Sequence, residues 1–253
     1  IRDSLSRQGV VVEDSGYGDD IVFLDRVDYL EKLEAFQKGW IQIQDLSSAM
    51  AVRAAGPRKG WRCIDVCGAP GGKSLYLADL LEGTGMVEVR DISQRKADLI
   101  QENVRRLGYA NVKVRVMDAL CEDEQSVETA DLVLADLPCS GLGVLGRKPD
   151  IKLRATRESM EALAGLQRDI LSVVWRYVKP GGILVYSTCT ISRRENEENR
   201  AWFLKQFPFE PVHIQGRLGE RIREETLKQG YVQLLPGVHP CDGFFLAVFR
   251  RRE

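Results

Sequence analysis

From Trp61 onward, short apolar runs alternate with longer segments in which apolar residues recur every three or four positions. "WRCIDV" (61–66) and "MVEVRD" (86–91) read as strands, and each precedes a segment of helical period. The first of these helices is predicted to start near Lys73. The second, over 93–108, puts Ala97, Ile100, Val104 and Leu107 on one face, with Gly108 as its stop signal. "VKVRVMD" (112–118) is the next strand. "ADLVLADLP" (130–138) is apolar almost throughout, as a central parallel strand buried on both faces requires. A long amphipathic helix follows from Thr156, with Met160, Leu163, Leu166, Ile170, Val173 and Tyr177 on its stripe and Pro180-Gly181-Gly182 closing it. "ILVYSTC" (183–189) is another buried strand. Ser192 and Glu195 have capping-box spacing for the helix after it, and "GFFLAVFRR" (243–251) ends the pattern as a strand.

Strand–helix alternation of this kind predicts an α/β fold with a mostly parallel, doubly wound sheet. Residues 1–39 differ: a helix tail (Ile1–Gln8), two short strands (Val10–Glu13 and Ile21–Leu24) and a charged helix ending near Gly39. That is too little for an independent core. The expected organisation is residues 1–40 as the end of a small N-terminal α+β subdomain, and 41–253 as the main domain. The chain begins at Ile1 rather than Met, so further chain is expected upstream.

Composition changes this picture little. At 44% hydrophobic and 29% charged, the 253 residues can fill a full core. A net charge of −1 gives no hint of nucleic acid, and the clusters Arg147-Lys148, Arg193-Arg194 and Arg250–Arg252 are by themselves ordinary solvated faces. No run reaches the ~18 apolar residues of a membrane span, and no signal peptide is visible. Six cysteines contain no C-x-x-C pair, which favours reduced thiols over disulfides or zinc. The expectation is a cytoplasmic protein with no metal and no membrane partner. Oligomeric state is not legible.

In doubly wound sheets, ligands bind outside the carboxyl ends of the strands. Here those ends carry chemistry: Asp65-Val66-Cys67 before a Gly-rich turn, Asp91, Met117-Asp118, Asp136-Leu137-Pro138-Cys139-Ser140-Gly141, and Ser187-Thr188-Cys189. Singly, such an Asp is often a turn residue and such a Cys a small buried hydrophobe. Their coincidence on one edge suggests a site. The turn "CGAPGGKS" is not a Walker loop. With Gly72-Lys73-Ser74 as its end, the first Gly of G-x-x-x-x-G-K-[ST] should stand at Cys67. The dinucleotide pattern fails as well, since Pro70 replaces its second Gly. What remains is a small-residue turn leading into a helix start, suited to a carboxylate, with an acid on the next strand suited to ribose hydroxyls. S-adenosylmethionine has both groups.

The blocks "DVCGAPGGK" (65–73), "DLPCSGLG" (136–143) and "STC" (187–189) resemble those of the RNA cytosine-carbon-5 methyltransferases, the NOL1/NOP2/Sun family. "QDLSS" (44–48), "RKPDIK" (147–152) and "DGFF" (242–245) match further blocks in order, from about Gln42 to Arg250. The likeness is strongest to the bacterial RsmB (Fmu/Sun) type, which modifies small-subunit ribosomal RNA. Leu153, where relatives often have Trp, and Cys241 depart from the pattern.

The resemblance implies a Rossmann-like class I S-adenosylmethionine-dependent methyltransferase fold over 41–253 and an RNA partner, 16S ribosomal RNA before transfer RNA or 23S RNA. The chemistry explains the residue types. Carbon 5 of cytosine becomes nucleophilic only after a thiolate adds to carbon 6, so the site needs an activated Cys. Cys139 and Cys189 both qualify, and physics alone does not rank them. A Pro-Cys nucleophile, as in DNA cytosine methyltransferases, would be Cys139. The family resemblance points to Cys189, with Cys139 assisting elimination, Asp136 on the cytosine edge and Lys73 as an electrostatic contributor. It also assigns cofactor binding to Cys67, Gly68, Ala69, Pro70, Gly71, Gly72, Lys73, Asp91, Asp118 and Asp136, with Arg147, Lys148 and the tail arginines on phosphates. The rivals are a catalytically silent RNA-binding scaffold and, less well supported, a nucleotide hydrolase.

Overall fold

The computed structural model describes residues 1–253. The chain opens with α1 (Arg2–Arg7), then an antiparallel pair, β1 (Val11–Asp14) and β2 (Val22–Asp25), with Val11 opposite Asp25. The single charged helix expected before Gly39 is broken. A 3-10 turn at Leu30–Lys32 and the four-residue α2 (Glu34–Gln37) are separated by Leu33, whose backbone is extended so that its side chain packs with Leu5, Val10 and Ala35 in a small core of their own. Arg53 ties this region to the rest by bonding Asp20 and Tyr76, and Arg106 donates to the carbonyls of Phe36 and Ile41.

The remaining strands make one sheet. They are β3 (Arg62–Asp65), β4 (Met86–Asp91), β5 (Val112–Val116), β6 (Ala130–Asp136), β7 (Val178–Thr188), β8 (Phe209–Pro211), β9 (Tyr231–Leu234) and β10 (Phe244–Arg251). The order is β5-β4-β3-β6-β7-β10-β8, with β9 also on β10. The pairings among β3–β7 are all parallel, as the alternation predicts, whereas β8, β9 and β10 pair antiparallel. Its faces are covered by α3 (Leu46–Ala55), α4 (Gly72–Leu80) and α5 (Gln94–Leu107) on one side and by α6 (Arg157–Val174) and α7 (Glu197–Gln206) on the other.

Three features departed from the periodicity. α3 shows no amphipathic stripe because eight of its ten residues are buried, so a polar face never appears in the sequence. Pro180-Gly181-Gly182 does not separate helix from strand. Instead α6 stops at Val174, and the Pro-Gly-Gly lies within β7, where its pairing with β6 is irregular between Ala130 and Leu132. The Ser192–Glu195 capping box does not form either: α7 begins after Asn196 with no side-chain cap, and Glu195 is fully buried in another role.

The register sets what meets at the carboxyl edge. Asp136, at the end of β6, lies opposite Ser187 on β7, and Thr188 lies opposite Phe245 on β10. Arg250 lies opposite Ile183, so the tail arginines sit at the other rim, about 17 Å down the sheet at ~3.4 Å per residue.

Candidate active site

The turn after β3 is shaped by contacts that larger residues could not make. Gly68 donates its N–H to the Arg90 carbonyl at 2.8 Å. A Cβ there would lie 2.3 Å from Val89 Cγ1 and 3.1 Å from the Asp65 carboxyl. Asp65 is buried beneath the turn and accepts from Ser74 Oγ and, at 3.3 Å, from the Cys67 N–H. Burial pushes its pKa up to about 6, against the Ser74 hydrogen bond, with Asp136 adding to the rise. Over the turn lies a cleft of about 200 Å³, lined in part by Gln44, Ser48, Asp65, Lys73 and Asp136 and by Cys67, Gly68, Ala69, Pro70 and Gly72. With Asp45 it holds three carboxylates against one lysine, a poor place for a triphosphate. Gly71 is turned inward, towards Leu75 and Ile100.

Two buried acceptors around the turn lack donors. Gln44 Oε1 lines the cleft, and Asp91 Oδ1 belongs to a side chain whose other oxygen accepts the Ala69 N–H at 3.3 Å. Lys96 Nζ forms an ion pair with that same Asp91 Oδ1 at 3.3 Å, without a well-aligned hydrogen bond. Unsatisfied acceptors beside a glycine turn suit a ligand bearing hydroxyl and amino donors, and no side chain caps the start of α4. Asp118 lies off this cleft, at the carboxyl end of β5, where it accepts the Leu120 N–H at 2.9 Å as a turn residue.

Beside that cleft, the loops after β6 and β7 bring two thiols together. Cys139 Sγ and Cys189 Sγ are 3.3 Å apart and open onto a second cleft of about 620 Å³. Lys73 links the two clefts. Its ammonium pairs with Asp136 at 2.7 Å and donates to Ser48 Oγ at 3.2 Å, while Ser187 Oγ donates to the other Asp136 oxygen at 2.7 Å. Burial alone would lower the lysine pKa; Asp136, helped by Asp65 and Cys189, outweighs it and holds the amine charged. The hydrogen bond from Cys139 lowers the Cys189 pKa, and Lys73 adds to this against burial and Asp136. The same bond and burial push Cys139 upward. The shifts run in opposite directions, so ionisation is easier at Cys189 than at Cys139. Cys67, by contrast, is raised far above the usual thiol range by burial and by Asp65, which leaves it a small apolar wall.

The pair is held by residues that sequence reasoning missed or misassigned. Glu195 accepts from Ser140 N–H at 2.9 Å, Ser140 Oγ at 2.6 Å and Gln167 Nε2 at 3.1 Å, tying the Cys139 loop to the segment after Cys189. Ser140 Oγ also meets Thr190 Oγ1 at 2.8 Å. Gly143 donates to the Cys189 carbonyl at 3.0 Å and accepts from the Gly243 N–H at 2.9 Å. A Cβ on Gly143 would fall 1.9 Å from the Gly243 oxygen. Arg147 bridges Asp45 and, at 3.1 Å, Asp242, so it joins the "QDLSS" and "DGFF" blocks. The only sequence signal for Glu195 was its spacing from Ser192, and it pointed to the wrong partner.

Residues 52–250 match the family described as 16S rRNA methyltransferase RsmB/F. A protein described as a probable ribosomal RNA small subunit methyltransferase B, from Bacillus subtilis (strain 168), is 38% identical over 253 residues, covering 99% of this chain and 56% of its own length. A solved methyltransferase homolog from Pyrococcus horikoshii superposes with a TM-score of 0.83 at 31% identity, over 99% of this chain and 81% of that one. NSun6 from Pyrococcus horikoshii, solved with SFG, gives 0.80 at 32% identity over 90% of this chain and 57% of its own. The chain spans about half the length of the curated relatives it matches. The expected class I S-adenosylmethionine-dependent methyltransferase fold and the family resemblance are thus both met, and the chain belongs to the RsmB/F family of 16S rRNA methyltransferases.

Proposed function

We propose that the chain carries the catalytic part of an enzyme that methylates carbon 5 of a cytosine in RNA, small-subunit ribosomal RNA first, through a covalent cysteine adduct. Residues 41–253 form the methyltransferase domain and residues 1–40 the end of a smaller unit beside it. The observation that carries the reading is the thiol pair, 3.3 Å apart and adjoining the cleft over the glycine turn.

S-adenosylmethionine, when bound, supplies a methyl group on a sulfonium centre. The turn Cys67–Gly72, Lys73, Asp91, Asp118 and Asp136 are the residues assigned to it, and the buried, unbonded Gln44 oxygen over the turn supports the assignment. The Cys189 thiolate adds to carbon 6 of an unstacked cytosine, whose ring edge is held by Asp136. That addition gives carbon 5 the electron density to take the methyl group. The carbon 5 proton then passes to solvent in the open cleft, which restores the ring double bond and expels Cys189 as thiolate, with the Cys139 S–H beside it to hydrogen-bond the leaving sulfur. Lys73 keeps positive charge next to the thiolate throughout.

Two substitutions test this. Cys189→Ser is expected to abolish methyl transfer while leaving cofactor affinity unchanged; retained turnover would refute the nucleophile. Cys139→Ala is expected to accumulate an RNA–protein adduct that survives a denaturing gel, and no adduct would remove its role in release. Bisulfite sequencing of ribosomal RNA from cells with and without the gene identifies the substrate: an unaltered 16S pattern would rule out that RNA.

A further inference from the structure

At the rim opposite the thiols, a cavity of about 350 Å³ is bordered by Arg58, Arg217 and Arg250. Its remaining walls include Trp61 and the bare backbone of Gly181. Arg217 is held in place: its Nη1 donates to the carbonyls of Ala54 at 2.8 Å and Ala55 at 3.3 Å, at the end of α3. Burial pulls its pKa down, and Arg250 and Arg58 pull it further, with no carboxylate opposing them. Arg58 and Arg250 are exposed and their side chains make no hydrogen bond or ion pair. Glu253, the acidic residue of the lining, pairs with none of the three. Some arginines elsewhere are matched to acids, as in Arg90 with Glu88 and Asp123, Arg176 with Glu122, and Arg251 with Glu128, whereas these three share one concavity and none is paired.

Three guanidinium groups converging on one concavity against the single unpaired carboxylate of Glu253 leave it net positive and repel one another, and an anion between them lowers that cost. Guanidinium forks match phosphate oxygens two at a time, and a glycine wall lets a phosphate come close. Trp61 adds an aromatic face on which a base can stack. We propose that this cavity is a second anchoring site for the RNA, taking a backbone phosphate of a segment remote from the reacting base. The proposal rests on the RNA reading above. Ile183, which lines the cavity, lies five residues down β7 from Thr188, about 17 Å away. That separation is about two Debye lengths at physiological salt. The anchor therefore contributes affinity without altering the chemistry, and only an RNA long enough to pass over the edge of the sheet engages both sites.

The test is the double variant Arg58→Ala, Arg250→Ala, which removes exposed, unpaired side chains outside the catalytic machinery. Binding is measured across a salt series for a long 16S RNA fragment and for a short single-stranded oligonucleotide containing the target, both without cofactor. The expected result is about tenfold weaker binding of the long fragment, with its salt slope reduced by about 1–2, and unchanged binding of the oligonucleotide. An unchanged affinity and slope for the long fragment overturns the proposal. So does inorganic phosphate or a mononucleotide binding the wild-type cavity undisturbed by saturating long RNA, because the site would then serve a free phosphate compound. Equal weakening of both RNAs also overturns it, since the arginines would then act through the general field. Because binding is scored without turnover, failure of the methyltransferase reading appears separately, as absent methylation with the RNA anchor intact.

Discussion

Asp65→Asn isolates the charge buried under the glycine turn. In the folded protein this carboxyl is fully buried, and its pKa is pushed up to about 6 by that burial, with Ser74 opposing and Asp136 reinforcing. In the unfolded chain the group titrates near 3.9. Between these values the native state binds the proton that the unfolded state has released, so stability falls as pH rises. A difference of about two units corresponds to about 3 kcal/mol lost between pH 4 and pH 7. Asn removes the titration. It keeps an oxygen for the Cys67 N–H and places an amide against Ser74 Oγ, whose hydroxyl can rotate to accept. The swap of hydrogen bonds costs about 1 kcal/mol at every pH, so the diagnostic is the slope and not the absolute stability. Urea unfolding of both proteins from pH 4 to pH 8 should show the variant gaining about 3 kcal/mol on the wild type across that range. All other titrating groups cancel in the difference. Parallel stability curves would mean that Asp65 ionises as freely folded as unfolded, and the account of the turn as a buried carboxyl roofed by glycine backbone would be wrong.

Two further perturbations probe the thiol loops. Gly143→Ala puts a Cβ 1.9 Å from the Gly243 oxygen and 2.8 Å from that of Cys189, both backbone atoms. It should cost about 3 kcal/mol and lower the melting temperature by roughly 6–12 °C; wild-type stability would refute the loop contact. Lys73→Met removes the cation that favours the Cys189 thiolate, so the pH profile of Cys189 alkylation should move to higher pH. An unmoved profile would show that the hydrogen bond from Cys139 suffices alone.

The parallel strands were legible because strands buried on both faces are written as unbroken apolar runs, and "ADLVLADLP" and "ILVYSTC" sit side by side in the sheet. Their neighbouring carboxyl ends bring Cys139 and Cys189 together. What stayed hidden was structure whose signal is not periodic. α3 is buried nearly all round, β8 and β9 have three and four residues, and Leu33 breaks a helix by choosing the core over the helical backbone. Charged residues misled for a different reason. A sequence shows that Arg147 is basic, but not that Asp45 and Asp242, about 100 residues away on either side, converge on it. Glu195 likewise has cap spacing, yet hydrogen bonds across the thiol loops win it for the core.

The ranking of the two thiols, open at the level of residue types, acquires a physical basis from their surroundings. Two sulfurs 3.3 Å apart cannot both be ionised without strong repulsion, so the pair keeps at least one proton. Where that proton resides depends on which sulfur has the better-stabilised anion. Burial and Asp136 oppose ionisation of both sulfurs; the Lys73 cation offsets them at Cys189, whereas Cys139 has only the Gly141 N–H. These surroundings favour the proton on Cys139, which agrees with the proposal that Cys189 is the nucleophile. Placing it there also serves the end of the proposed reaction, because the leaving thiolate of Cys189 needs a donor at the moment its bond to carbon 6 breaks. One short sulfur–sulfur contact thus favours attack at the start and release at the end. The buried Glu195 network is what keeps that contact short, since it holds both loops and touches neither sulfur.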